Sequence, residues 1–167
     1  MKRKYVFLDR DGTLIFEPPD TFQIDGIEKL RILDGVIEGL QKLRSLGYGL
    51  IMISNQDGLG TPSFPKNDFE APHNLMLKIF KQNGIVFEKI FICPHLSQDK
   101  CACRKPKTGL VDKYLKANKN RIEFKKSFVC GDRESDKQFA KNLGFRFILA
   151  ETNGSFIKVI QKLKEKK

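Results

Sequence analysis

The sequence predicts an α/β fold in which a parallel sheet is sandwiched by helices. Short β-rich runs alternate with longer amphipathic ones, the pattern of parallel strands joined by crossover helices. The strand-like runs are almost continuously apolar, as strands covered on both faces are. Glycines close several of the helical runs. At 167 residues the chain is expected to form one domain over 1–167, large enough to bury roughly two-thirds of the surface its unfolded form exposes.

The elements follow in order. Lys4 to Leu8 (KYVFL) reads as the first strand, and the Pro- and Asp-rich stretch from Phe16 to Leu33 as a loop or small hairpin. Val36 to Ser45 sets Val36, Ile37, Leu40 and Leu43 at helical spacing before Gly47. Gly49 to Ser54 (GLIMIS) is the second strand, and Gly58 to Lys66, with Gly60, Pro62 and Pro65, a second loop. Asn67 to Asn83 carries Leu75, Met76, Ile79 and Phe80 on one helical face and stops at Gly84. Strands at Lys89 to Cys93, Ser127 to Cys130 and Arg146 to Leu149 alternate with helices at Thr108 to Ala117, Ser135 to Leu143 and a basic tail from Phe156 to Leu163. Ligand chemistry in an open α/β sheet collects beyond the carboxyl ends of the strands, so the two loops, each following a strand, are suspect.

Composition narrows the function class. The formal charge of +11 suits either an anionic partner or a lysine-rich solvated surface. The lysines cluster in Lys116 to Lys126 and Lys158 to Lys167 with few aromatics of the kind that stack on bases, which favours the solvated surface and makes nucleic acid a weak candidate. A phosphorylated small molecule would also be attracted. No apolar run is long enough to cross a membrane, and Met1 to Lys4 lead into a strand rather than a leader peptide; a cytoplasmic location is the expectation.

Carboxylates gather where apolar runs end. In Phe7 to Ile15 (FLDRDGTLI) Asp9 and Asp11 stand two apart at a strand end. One can attack as a nucleophile while the other exchanges a proton with the leaving group. The bland alternative is an Asp-Gly turn. After the fourth strand comes Gly131-Asp132-Arg133-Glu134-Ser135-Asp136, where Asp132 and Asp136 also suit a helix start. Asp9, the Asp11 carbonyl and Asp132 offer the oxygen ligands magnesium prefers, with Asp136 in support. Ser54, Asn55 and Gln56 supply a hydroxyl and amides for phosphate oxygens. Lys105 follows the cysteine cluster; a fixed lysine about 4 Å from an anion is worth roughly 4 kcal/mol when partly screened.

Cys93, His95, Cys101 and Cys103 fall within a short segment and give four soft ligands of the type a closed, structural zinc site requires. Cys101 and Cys103 are poorly placed to pair with each other. Such a zinc would fix the loop that ends at Lys105, at a contribution on the order of 10 kcal/mol to folding. Cys130, in an apolar run, is assigned no function.

The acidic pair, the strand-end serine, the Lys-Pro and the late Gly-Asp, in that order, resemble the four motifs of the haloacid dehalogenase superfamily of phosphatases. The resemblance implies a Rossmann-like sheet with a minimal cap and a zinc-stapled loop. It further implies Asp9 as nucleophile, Asp11 as general acid and base, Ser54 and Lys105 on phosphate, and Asp132 on magnesium. The runs FLDRDGTLIFEPP, FQID, SNQDGLGTPSFP, FICPH with CACRKP, and GDRESD look like the histidinol-phosphatase domain across most of the chain. The similar heptose-bisphosphate phosphatases have TNQSG and GDK where this chain has SNQDG and GDR. Histidinol phosphate is therefore the expected substrate, in histidine biosynthesis, ahead of heptose bisphosphate, a nucleic-acid 3′-phosphate, or a zinc-stapled binding module without activity. Glu17, Gln23 and Asp57 in the two loops are candidates for its amine and imidazole; His73 and Phe22 are left undecided. In many bacteria the resembling domain is fused to imidazoleglycerol-phosphate dehydratase, whose metal site needs many histidines. This chain has two, so that activity would lie in another domain or subunit.

Overall fold

The computed structural model describes residues 2–164; the end of the lysine-rich tail, from residue 165 on, lies outside the described residues. Five strands, β1 (Lys4–Leu8), β2 (Tyr48–Asn55), β3 (Lys89–Cys93), β4 (Phe128–Gly131) and β5 (Arg146–Leu149), form one sheet in the order β3-β2-β1-β4-β5. Every neighbouring pair is parallel. Five α-helices, α1 (Val36–Ser45), α2 (Lys66–Gln82), α3 (Asp112–Asn118), α4 (Glu134–Leu143) and α5 (Ile157–Lys164), connect and follow the strands.

The apolar runs explain the layering. Along each strand successive side chains point to opposite faces, so a continuous apolar run feeds two cores at once. Val6, Leu8, Leu50, Met52 and Phe128 pack with Val36, Leu40 and Leu43 of α1, Met76 and Phe80 of α2 and Val159 of α5. Tyr5, Phe7, Ile51, Ile53 and Val129 pack on the other face with Leu115 of α3 and Phe139 and Ala140 of α4. Cys130 is buried in the first of these cores, consistent with a small apolar role.

Strand β4 and helices α2, α4 and α5 differ from the sequence expectation by one residue at one or both ends, and two other elements differ in a way the contacts explain. Strand β2 is longer at both ends because Tyr48 pairs with Lys4 and Asn55 with Cys93. Helix α3 starts four residues later than Thr108. There the Gly109 N–H donates to the Ala102 carbonyl at 3.0 Å, tying this turn to the cysteine loop before the helix can begin. The first suspect loop closes on itself through Phe16, whose N–H donates to Arg31 at 2.8 Å, and carries a 3-10 turn at Ile27–Lys29.

Candidate active site

Because the strands are parallel, their carboxyl ends share one rim, and four segments reach it. Asp9 follows β1, with its N–H bonded to the Cys130 carbonyl at 2.9 Å. Ser54 and Asn55 end β2, Asp132 follows β4, and Lys105 arrives on the loop after β3. Asp9, Ser54, Asn55 and Lys105 line a cavity of about 450 Å³ together with Asp11, Glu17, Gln23, Asp57 and Asp136; Asp132 stands beside it, within 4.8 Å of Asp9 and Asp136.

Lys105 is buried, and its Nζ donates to Asp9 Oδ1 and Asp136 Oδ1, each at 2.6 Å, and to the Ile53 carbonyl at 3.1 Å. Burial opposes that charge, but the carboxylates of Asp9 and Asp136 outweigh it and hold the ammonium above its ordinary range. Asp9 is raised as well, but there the shift works against the charge: burial and then the Asp136 charge raise its carboxyl, against the pull of Lys105. Asp132 accepts from Thr13 Oγ1 at 3.2 Å and Thr152 Oγ1 at 2.8 Å. Glycine makes room for it, since Gly12 has φ +73° and a Cβ there would stand 2.6 Å from Asp132 Oδ2.

Carboxylate oxygens of Asp9, Asp132 and Asp136 lie within 4.8 Å of one another. Three acids, Asp9 and Asp136 buried and Asp132 partly so, against one ammonium and the Arg133 guanidinium 4.0 Å from Asp132 leave a surplus of negative charge, and hard oxygen donors in that arrangement fit a magnesium-like dication. Asp136 thus stands within the same 4.8 Å group as Asp9 and Asp132, while also accepting the Arg133 N–H at 3.1 Å at the start of α4. The Asp11 carboxylate is not in this group. Its Oδ1 accepts from Arg10 Nε and its Oδ2 from Gln56 Nε2, both at 2.6 Å.

Asn55 also differs from expectation. Its Oδ1 accepts the Lys105 N–H at 3.0 Å and its Nδ2 donates to the Lys105 carbonyl at 3.1 Å, so the amide grips the lysine's backbone. Glu17 and Asp57, candidates for a cationic ligand, are matched by arginines, Glu17 by Arg133 and Asp57 by Arg104. Burial raises Glu17 to about 7 against the pull of Arg133, with Asp11 and Asp132 adding to the rise. Gln23 is on the cavity wall beside Phe22, which is 59% exposed with φ +56°. His73 is buried under Phe69, ring on ring at 4.8 Å, with Arg10 Nη1 3.4 Å from its Nδ1.

The cysteine cluster closes on itself. Cys93 Sγ lies 3.7 Å from Cys101 Sγ and 3.2 Å from Cys103 Sγ, and His95 Nδ1 is 3.5 Å from Cys93 and 3.1 Å from Cys103. Ligands about 2.3 Å from a tetrahedral zinc stand about 3.8 Å apart, close to these spacings. The four residues therefore fit a zinc ion, and all ligand positions come from the protein.

The residues that reasoning from sequence passed over are the arginines: Arg10, fully buried, and Arg104 and Arg133 at the rim. Arg10 had a signal in its place between two strand-end acids. The rim arginines had none beyond their neighbours.

The sequence profile of the polynucleotide kinase 3 phosphatase family matches residues 4–153. The chain belongs to that family. It is 55% identical over 146 residues to the "Histidine biosynthesis bifunctional protein HisB" of Campylobacter jejuni, covering 87% of this chain and 41% of that protein. The chain thus spans about two-fifths of the length of the curated relatives it matches. The D,D-heptose 1,7-bisphosphate phosphatase of B. bronchiseptica, solved with magnesium and phosphate, superposes with a TM-score of 0.79 at 27% identity, over 95% of this chain and 86% of that one. A putative HAD-like phosphatase from Mesorhizobium loti gives 0.77 at 17% identity, over 98% and 85%. The fold is that of the haloacid dehalogenase phosphatases, as the motifs implied. Among the described residues no helix is long and apolar enough to cross a membrane.

Proposed function

We propose that the chain is a magnesium-dependent phosphomonoesterase that converts L-histidinol phosphate to L-histidinol and phosphate in histidine biosynthesis. The observation that carries this reading is the convergence of Asp9, Asp132, Asp136 and Lys105, from two strand ends, the first turn of α4 and a loop, at one place beside the cavity. The substrate rests on the 55% identity to a histidine-biosynthesis protein. Because this chain covers 41% of that relative, a second activity such as the dehydratase would reside in sequence beyond the matched part or in another subunit.

In this reading Asp9 attacks phosphorus in line and becomes phosphorylated. Asp11, in its protonated form, gives its proton to the departing alcohol, and the carboxylate so formed takes one from the water that hydrolyses the aspartyl phosphate. Lys105 orients Asp9 and offsets the charge on the transferring group. Ser54 donates to a phosphate oxygen, and Asn55 serves by holding Lys105. Magnesium would be held by Asp9, Asp132 and the Asp11 carbonyl, with Asp136 beside them, and supplies charge neutralisation. Zinc would be held by Cys93, His95, Cys101 and Cys103 as a structural staple. Gln23, with Glu17 and Asp57 in their pairs with Arg133 and Arg104, would face the amine and imidazole of the substrate.

The test is phosphate release with magnesium from histidinol phosphate, D-glycero-D-manno-heptose 1,7-bisphosphate and a 3′-phosphorylated oligonucleotide. Histidinol phosphate should have the highest kcat/KM, and Asp9→Asn should abolish turnover while leaving the fold intact. The runner-up, heptose bisphosphate, draws support from the 0.79 superposition; preferential turnover of that sugar would replace the proposed substrate. Unchanged histidinol-phosphate kinetics after replacing Glu17, Gln23 and Asp57 together would remove their assignment.

A further inference from the structure

Arg10 is fully buried between the two catalytic acids in sequence, yet the mechanism above gives it no task. Its guanidinium lies 4.7 Å over the Phe69 ring, and its three nitrogens reach three different side chains. Nε donates to Asp11 Oδ1 at 2.6 Å, Nη2 to Gln56 Oε1 at 3.4 Å, and Nη1 faces His73 Nδ1 at 3.4 Å. Burial first, and the Arg10 charge next, push His73 down to about 4, so its ring is neutral at ordinary pH and Nδ1 is free to accept.

An arginine can only donate. Gln56 must therefore turn its oxygen toward Arg10, and its amide nitrogen is committed to the opposite side. There the nitrogen donates to Asp11 Oδ2 at 2.6 Å and to Ser54 Oγ at 2.7 Å. Both of its protons are used. Ser54, 1% exposed and on the cavity wall, thus receives a hydrogen bond from behind, which leaves its own proton to be given forward. Reversing the Gln56 amide would set its oxygen against the Asp11 carboxylate and put its N–H groups against Arg10, so one cation fixes the direction of the whole chain of bonds.

We propose that Arg10 is a positioning residue: acting through Gln56, it orients the Asp11 carboxylate and directs the Ser54 hydroxyl proton toward the phosphate of the substrate. The inference rests on the phosphatase reading, which supplies the roles of Asp11 and Ser54. It adds Arg10 and Gln56 as the pair that presets them before the ester arrives.

Two variants test it. Gln56→Glu keeps the shape and gives Arg10 a carboxylate to pair with, so the fold is retained, but it removes both donated bonds. The Ser54 proton is then drawn backward and the introduced charge faces Asp11. Loss of a hydrogen bond to a charged group corresponds to roughly 10- to 100-fold in an equilibrium constant, so binding of inorganic phosphate, followed by calorimetry with magnesium present, should weaken by about that factor. Arg10→Lys keeps the cation but cannot span three acceptors. Its kcat/KM should fall more for an alkyl phosphate, whose leaving group needs the Asp11 proton, than for p-nitrophenyl phosphate, whose phenolate leaves without one; a merely structural defect would lower both equally. Unchanged phosphate affinity in folded Gln56→Glu, or equal losses on the two esters in Arg10→Lys, would overturn the proposal. Should the wild type bind phosphate, lose it on Gln56→Glu and yet hydrolyse no ester, the positioning of Ser54 stands and the phosphatase reading falls. If the wild type neither binds phosphate nor hydrolyses an ester, both fall.

Discussion

Replacing Lys105 by methionine isolates the electrostatic keystone of the site. The stem of the side chain is nearly matched in volume, so packing is preserved while the ammonium that contacts Asp9 and Asp136 at 2.6 Å disappears. Both carboxylates are buried, with side-chain exposures of 9% and 1%, so neither can recover its hydration. Removing one partner of a buried pair costs about 3–5 kcal/mol because the remaining charge is left uncompensated. At about 2–4 °C per kcal/mol for a chain of this size, Tm should fall by roughly 6–20 °C. The assay is thermal unfolding by circular dichroism in zinc-replete buffer without magnesium. Adding Asp136→Asn to Lys105→Met removes one of the stranded charges and should recover much of the loss, so the two substitutions are strongly non-additive. A single variant within about 2 °C of wild type, or a double variant no more stable than the sum of the two losses, would refute the claim that this lysine neutralises a buried acidic pair.

Three further outcomes follow from the same geometry. His73 is held neutral, with its folded value near 4 against 6.5 when unfolded. The unfolded chain takes up the proton first, so stability present above pH 6.5 should be lost as pH falls toward 4, by on the order of 3 kcal/mol; His73→Asn should flatten that part of a denaturant-midpoint profile. Gly12→Ala places a methyl against Asp132 and forces φ +73° on an alanine, so a loss of about 1–3 kcal/mol is expected in chemical denaturation, together with weakened magnesium dependence of turnover. Removing zinc with a chelator should abolish activity that magnesium alone does not restore and zinc does. Hydrogen exchange should rise in Cys93 to Gly109 well before it rises in β1 or β4.

Strands and helices were legible because burial on both faces writes itself as uninterrupted apolar runs, and because Gly144 and its like stop a helix in a left-handed turn. The acids were legible because apolar strands rarely end in carboxylates by chance at two places. What the sequence concealed is which partner each polar group takes. Asn55 looked like a phosphate ligand because it stands beside Ser54, yet β2 extends through it and turns its amide to the Lys105 backbone. Glu17 and Asp57 looked free to meet a cation, and Arg133 and Arg104, distant in sequence, are already there. Pairing of this kind depends on three-dimensional distance, for which one sequence holds no periodic signal.

The way Lys105 is delivered gives a zinc ion at the cysteine cluster a purpose. Asp9, Ser54 and Asp132 are fixed by the sheet, one at or beside the end of each of three hydrogen-bonded neighbours. Lys105 has no strand beneath it, and ordering a free segment costs about 1–2 kcal/mol per residue in backbone entropy alone. The cluster that begins at Cys93, the last residue of β3, and ends at Cys103 closes this segment at both ends. From there the Asn55 amide, itself in β2, grips both the N–H and the carbonyl of Lys105, and the Gly109 N–H bonds back to Ala102. The lysine is therefore referenced to the sheet through β2 and β3 together. Loss of either clamp alone should loosen it less than loss of both, so an Asn55→Ala variant should become far more sensitive to zinc chelation than the wild type. Equal sensitivity would mean that the cysteine loop is held for some reason other than presenting Lys105.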